Sequence, residues 1–582
     1  MKIRLLRIYV ILAVYCLLID LTAANTLSQQ FTAAKDQPSL EESAKKADDF
    51  LSQWDKTDQP GCAVGVVKDG ALVYKRGFGM ANLDYDVPNT PTTRFIVAST
   101  SKAFTGMSIA LLAQQGKLSF DDEIQKYIPE IPKYEYPITI RHLLHHTSGI
   151  REYEALVVFS GRGRDNDYSD KFVLNTLARQ KNVSFKPGSK YQYSNSNFFL
   201  LGVIVARVSG KSLRTFADEN IFKPLGMKNT LFYDNRFEVI KNRAQGYAVG
   251  PDKSIRARSS LDDIVGDGGI MTTVEDLYLW VQNFYEPKVG NKELIKLMTT
   301  PGALNDGGKV NYSFGLFHIN YKGLPAIKHS GNQFGFRAQI ASFPEQKFAS
   351  IALCNNMAIL PSQIVNKLAD IYLEGQLKPD VSAEKKPWEN LPPTTALSEK
   401  DTLRYAGIYA HLESGKIVKL SVKDGKLIES AIFRKELPVM ALSEKRLVVV
   451  DKNGMAELNP VFDKSGAVSE IRILDGDGST DIFVPVKPPF DSPEKLTEYV
   501  GTYYSDELDA DYKISLKGNN LSLYISETLE NRLVGLYADA VTLPGGEINL
   551  AFTRDDKGKI SGFVFNSGLD DREVKGVIFN RR

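Results

Sequence analysis

Cysteine is scarce in this chain of 582 residues: Cys16, Cys62 and Cys354 are all it has. So few cannot build the disulfide framework that staples small secreted domains. An excess of either charge is missing as well. Lysine and arginine number 72 against 70 for aspartate and glutamate, a net charge of +2, so the balance points to no polyanion partner and nucleic acid is not expected. No Gly-x-Ser-x-Gly occurs, which argues against a hydrolase built on a nucleophile elbow. A bilayer-spanning run is lacking too: the apolar stretch Ile8 to Ile19 has 12 residues, where a helix needs about 20 to cross a core of about 30 Å.

What is present at the N-terminus is ordered. Lys2, Arg4 and Arg7 precede the apolar stretch, and Thr22-Ala23-Ala24 follows it. That layout is expected of a secretory signal peptide, residues 1–24, cleaved after Ala24; an uncleaved anchor is the alternative. An exported protein, periplasmic or secreted, with no membrane span once the signal is removed, is the expectation. Cys62 and Cys354 then remain, each inside a strand-like apolar run, and both free buried thiols and a single bridge stay open.

The length calls for two to four domains of roughly 100 to 200 residues each. In "SLEESAKKADDFLSQW", Ser39 and Glu42 read as a capping box. "GCAVGVVKDGALVYKRGFG" reads as two strands joined at Asp69-Gly70, a hairpin. A mixed region ends in the helical "PSQIVNKLADIYLEG", so residues 25–373 are taken as one catalytic domain. Residues 374–400, rich in proline and polar side chains, read as a linker. Beyond it, short β-type runs alternate with glycine turns and no strong helix pattern remains. "LRYAGIYAHLESGKIVKLSVKDGKLI" lines up with "TEYVGTYYSDELDADYKISLKGNNLSL" about 95 residues later. Two small antiparallel barrels, 401–488 and 489–582, are expected, with one larger barrel made of two halves as the alternative.

The chemistry is sought in a few short stretches. "SKAFTGMSIALLAQQG" predicts a helix from about Ser101, stopped at Gly116. Ser99 and Lys102, three apart, would share one face at its N-terminal end. The helix dipole and desolvation disfavour a charged amine there, and a lysine sharing protons with a serine hydroxyl activates it as a nucleophile. The bland reading is a capping serine beside a surface lysine. In "PITIRHLLHHTSGI", His142, His145 and His146 lie at helical spacing, but no glutamate or cysteine completes a zinc set; a packed helix closing in a Thr147-Ser148-Gly149 turn is expected, with no metal and no cofactor. Tyr193 and Asn195, two apart, can point the same way in extended chain. "AIKHSGNQFGFRAQIASF" predicts two strands joined through glycine, with the His329-Ser330-Gly331 edge open to a substrate and the Asn332 N–H free to help hold an oxyanion. "DGDGSTD", 475–481, reads as a β-turn in preference to a calcium loop.

Ser99-x-x-Lys102, the Leu-x-His-His-Thr-Ser-Gly stretch, Tyr193-x-Asn195, "DGGIMTTVEDL" and His329-Ser330-Gly331 together resemble the serine β-lactamase and penicillin-binding-protein superfamily, over about residues 40 to 373. Within it the chain is similar to the branch of class C β-lactamases, DD-carboxypeptidases and D-aminopeptidases. The resemblance implies an α/β (α+β) fold: an antiparallel sheet flanked by helices, with a helical subdomain and the site between them. It implies Ser99 as the acylated nucleophile and Lys102 with Tyr193 as proton carriers. Asn195 would contact the substrate's acyl side chain, with His329, Ser330 and Gly331 as a binding edge. The N–H groups of Ser99 and Asn332 would form the oxyanion hole.

His-Ser-Gly departs from the Lys-Thr-Gly usual in class C β-lactamases, which makes antibiotic hydrolysis a less fitting main activity. The C-terminal barrels resemble lipocalin-like modules of D-aminopeptidases, where they can cover the cleft. The expected function is therefore a serine hydrolase acting on small peptides, amides or related esters. A β-lactamase, or a silent binding protein for cell-wall fragments, are the alternatives.

Overall fold

The computed structural model describes residues 39–162, 169–259, 263–378, 391, 393–412, 415–430, 436–450, 455–474, 480–490, 492–526, 529–544, 546, 548–568 and 573–582. The signal segment, residues 379–390 and 392 of the linker and residues 475–479 of the "DGDGSTD" turn lie outside them.

Helix α1 (Leu40–Leu51) is capped by the Ser39 hydroxyl, which accepts the Glu42 N–H. Strands β1 (Cys62–Lys68) and β2 (Ala71–Phe78) follow, joined by Asp69 and Gly70 at φ 51° and 80°. Two successive positive φ values are what a tight hairpin of this hand requires. Helix α2 (Lys102–Gln114), the short α3 (Ile140–Leu144), α4 (Asn195–Ser209) and α5 (Val274–Tyr285) come next. The chain then returns to the sheet as β3 (Tyr312–Ser313), β4 (Leu316–Tyr321), β5 (Leu324–Gln333), β6 (Phe336–Phe343) and β7 (Phe348–Cys354), and ends the domain with α6 (Pro361–Tyr372).

These strands form an antiparallel sheet in the order β3-β4-β5-β6-β7-β1-β2. Its alternation places the core. Cys62, Val64 and Val66 pack with Ala47 and Leu51 of α1 and Ile364 and Leu368 of α6, whereas Ala63 and Val67 face Val274 and Leu277 of α5. Each fully buried valine or leucine contributes roughly 1.5–3 kcal/mol. Cys62 stands opposite Cys354 in the β1–β7 register and is bonded to it, with Cα atoms 4.0 Å apart. The thiols left open by sequence are thus one bridge, because the sheet brings together two residues 292 apart in the chain.

After the linker come two β structures. Eight strands from Gly407–Ala410 to Thr480–Val486 close into a barrel; nine from Gly501–Ser505 to Val574–Arg581 form a nearly closed one whose sheet edges are the consecutive strands Leu529–Arg532 and Val534–Tyr537. Each is led in by helical turns, Glu399–Tyr405 and Pro493–Leu496. Each is too short to show a periodic pattern in the sequence. Tyr512 and Phe565 of the second barrel meet Phe159 of the catalytic domain: the phenol donates to Phe159 O at 2.7 Å, and the two phenylalanine rings lie 4.7 Å apart.

Candidate active site

Ser99 stands in the 3₁₀ turn Ala98–Ser101 that runs directly into α2. Ala98 takes φ 46°, a conformation costing on the order of 1–3 kcal/mol for a residue with a Cβ. Packing holds it there. Strand β5 crosses so close that a Cβ on Gly331 would lie 2.0 Å from Val97 O; only glycine lets that edge approach the serine turn.

Lys102 is fully buried, and its Nζ donates to Ser99 Oγ at 3.1 Å, Asn195 Oδ1 at 2.7 Å and Asp267 O at 2.6 Å. Three acceptors converge on this one amine, far more polar company than the helix position implies. The Tyr193 ring centroid is 5.0 Å from the same Nζ. Asn195 opens α4 after the extended Ser194, at φ −146° and ψ 126°, which puts Tyr193 and Asn195 on one side, as alternate residues of extended chain are. The Asp267 carbonyl is presented by a clamped segment: Thr105 Oγ1 donates to Gly266 O at 2.7 Å, and Ser101 Oγ accepts Ile270 N–H at 3.0 Å.

His329 is buried on β5. Burial first, and the Lys102 charge second, push it down to about 3. A neutral imidazole has one N–H. Nδ1 faces Ser330 O at 2.7 Å and so carries the proton, while Nε2, 3.0 Å from Tyr312 Oη, accepts. The other histidines serve separately. The His142 Nδ1 accepts the Thr139 N–H at 3.2 Å, His145 Nδ1 donates to Tyr312 O at 3.0 Å, and His146, beyond the end of α3 at φ 55°, accepts the Ser194 N–H at 3.2 Å and the Asn197 amide at 3.0 Å. His146 is held neutral, well below the usual histidine range, by burial and then by Lys102. It therefore fixes the backbone between Tyr193 and Asn195.

A cavity of about 780 Å³ opens over Ser99, with Tyr193, Asn195, His329, Ser330, Gly331 and Asn332 on its walls. Lys102 is buried beneath its floor, and His142, His145 and His146 do not line it. Sequence reasoning missed several others. Glu152, fully buried, accepts both the N–H and the side-chain amide of Asn195. Tyr153 Oη donates to Asp267 Oδ2 at 3.0 Å, and burial pushes that carboxyl up against the opposing pull of Lys102. Glu154 and Asp267 line the cavity, and so does Glu573 of the second barrel. Burial raises the Glu573 carboxyl, but Lys190 at 2.7 Å and Lys575 outweigh it and hold it below the usual range. The signal for Glu152 was an Arg-Glu-Tyr-Glu run directly after an apolar turn; nothing near Glu573 marks it.

Residues 47–371 match the family described as Beta-lactamase. A D-aminopeptidase of Brucella anthropi is 27% identical over 540 residues, 90% of this chain and 95% of that protein. Penicillin-binding protein 4* of Bacillus subtilis (strain 168) is 29% identical over 394 residues, 65% and 85% of the two chains. Among solved structures, the octameric penicillin-binding protein homologue from Pyrococcus abyssi superposes with a TM-score of 0.52 at 23% identity, covering 75% of this chain and 99% of that one; this speaks to fold alone.

Proposed function

The chain belongs to the beta-lactamase family and is a serine hydrolase, and from that premise we propose that it cleaves small peptides and amides bearing a free amino end, through an acyl-enzyme on Ser99. The Ser99 Oγ attacks the carbonyl as its proton passes to the Lys102–Tyr193 pair. The N–H groups of Ser99 and Asn332 hold the oxyanion. The C–N bond breaks as the pair returns the proton to the leaving amine, and water then releases the acyl group by the reverse proton path. Asn195 orients the acyl side chain.

The observation that carries this reading is the 3.1 Å contact between Lys102 and Ser99 beside a cavity whose charged walls are mainly acidic. Glu154, Asp267 and Glu573 line it, and the lysine on its wall, Lys190, is paired with Glu573. A neutral His329 brings no cation for a substrate carboxylate. Those charges favour an ammonium over a terminal carboxylate, hence an aminopeptidase over a carboxypeptidase or β-lactamase. The name of the Brucella anthropi relative supports D-residues as the substrate class.

Export belongs to the same proposal. It is supported by the charged, apolar and small-residue order of residues 1–24 and by the Cys62–Cys354 bridge, a bond that persists in oxidising compartments. Cell fractionation tests it.

For the chemistry, a fluorophosphonate should label wild-type protein and not Ser99→Ala. D-Alanine p-nitroanilide should be hydrolysed at least about tenfold better than its N-acetyl form, the discrimination a well-placed carboxylate gives. Preference for an N-acylated D-alanyl-D-alanine would indicate a carboxypeptidase, and turnover of nitrocefin a β-lactamase. Tight binding of cell-wall fragments without labelling or turnover would make it a binding protein.

A further inference from the structure

Three consecutive residues connect the second barrel to the catalytic amine. Arg151 is fully buried, and the barrel takes up its guanidinium: Nη1 meets Glu507 Oε2 at 2.5 Å, while Nε and Nη2 donate to Lys575 O at 2.9 and 2.6 Å. Glu507 is itself buried and tied down by the Lys181 N–H at 2.9 Å, and its backbone carbonyl accepts the Gln180 amide at 2.9 Å. Glu152, next in the chain, holds both amide groups of Asn195. Tyr153, next again, holds the Asp267 side chain. Ser196 stitches the same three residues to the start of α4, donating to Arg151 O at 2.7 Å and accepting the Tyr153 N–H at 2.8 Å. Asn195 and Asp267 both accept from Lys102 Nζ, as Ser99 does.

We propose that the second barrel is a working part of the catalytic machinery: by gripping Arg151 through Glu507 it sets the position of Glu152 and Tyr153, and so the two acceptors that aim Lys102 at Ser99. Arg151, Glu152 and Glu507 are positioning residues, since none touches the reacting atoms. The physical reason is the cost of error. A buried guanidinium without its carboxylate must be rehydrated or moved, and the backbone that moves with it carries the Asn195 and Asp267 contacts. A misplacement of about 1 Å at a proton-transferring group is enough to slow chemistry strongly while leaving the cavity walls, and so binding, largely intact. Surface ion pairs at the same junction, such as Arg179–Asp509 at 3.2 Å with both side chains exposed, lack this reach.

The proposal rests on Ser99 and Lys102 acting as assigned above, and the test separates the two. Full-length wild type, Glu507→Gln, Glu507→Asp and Asp509→Asn are compared by kcat and KM on D-alanine p-nitroanilide, by the rate of fluorophosphonate labelling, and by thermal melting. Glu507→Gln is expected to lower kcat and the labelling rate at least about tenfold with KM within about twofold. Glu507→Asp should recover part of the loss, and Asp509→Asn should match wild type. If Glu507→Gln melts lower yet keeps wild-type kcat and labelling at 25 °C, the contact is structural only and the proposal fails. Should that variant not fold, Glu507→Asp decides: an unchanged kcat and labelling rate overturns the proposal, and a fall in both with KM held supports it. Absence of labelling in the wild type would instead overturn the assignment of Ser99.

Discussion

In the first barrel Tyr409 Oη donates to Tyr405 O at 2.9 Å; in the second Tyr503 Oη donates to Tyr499 O at 2.7 Å. The same tyrosine pair, around the same glycine, locks the entry of each copy. Outside that shared interior the copies diverge. The core of the first barrel, with Tyr405, Leu420, Leu447 and Ile471, is a cluster of its own, and Ala410 joins a small apolar patch with Leu536 and Tyr537 of its neighbour. The core of the second is continuous with that of the catalytic domain. Where the second has Tyr512 and Phe565 against Phe159, the aligned residues of the first are Val418 and Ile473. A repeated sequence therefore preserves what a barrel needs inside, and a few substitutions decide whether it docks.

The largest expected effect separates the two barrels directly. Phe565→Ala should cost about 3–5 kcal/mol and Leu447→Ala about 2–5 kcal/mol. Calorimetry should record the first loss in the transition that also carries the hydrolytic activity, and the second in a transition that leaves activity intact. If both variants shift one common transition, the independence of the first barrel is refuted.

Acid gives the next contrast. Among the six histidines, five, His142, His145, His146, His318 and His329, are pushed down by burial, and all five lie in the catalytic domain. His329 titrates at about 3 when folded, against 6.5 ordinarily. Below 6.5 the unfolded chain takes up a proton that the folded chain refuses, so stability falls as pH drops and the loss levels off below about 3. This one group removes about 1.4 kcal/mol per pH unit inside that window. Denaturant melts at pH 7 and pH 5 should show the catalytic transition weakened by about 2 kcal/mol or more, with the first barrel holding longer.

The smallest effect tests the likeness itself. Tyr409→Phe and Tyr503→Phe each remove one buried hydrogen bond and should each cost about 1 kcal/mol. Only the second should be felt in activity after mild heating. Equal effects on activity would mean that both barrels are coupled to the site.

Much of the site was readable before any coordinates. Ser99 and Lys102 meet because three residues at the head of a helix span one face, and Gly116 ends that helix, at φ 68°, as expected. Tyr193 and Asn195 share a side because Ser194 is extended. The grouped histidines sit where a short helix gives way to a turn: α3 stops at Leu144, and His145 and His146 beyond it turn to different partners. Two supports of the Lys102 amine, one direct and one through Asn195, were illegible for different reasons. The Asp267 acceptor is a backbone carbonyl, which every residue has. Glu152 acts through a loop whose course depends on its own contact with Asn195, 43 residues away, and on that of Arg151 with Glu507, 356 away.

By itself the sequence determined the local geometry: which helix start brings a serine and an amine together, where hairpins turn, and that two copies of one β pattern follow the linker. Such features depend on neighbours a few residues apart, whose geometry backbone sterics and hydrogen bonding already dictate. Only the tertiary structure decided that Cys62 and Cys354 pair, that His329 is neutral, and that the second copy lines the cavity with Glu573 and binds Arg151 through Glu507. Each of those depends on burial and on partners brought together by folding, and desolvation acts on a group according to what surrounds it in space.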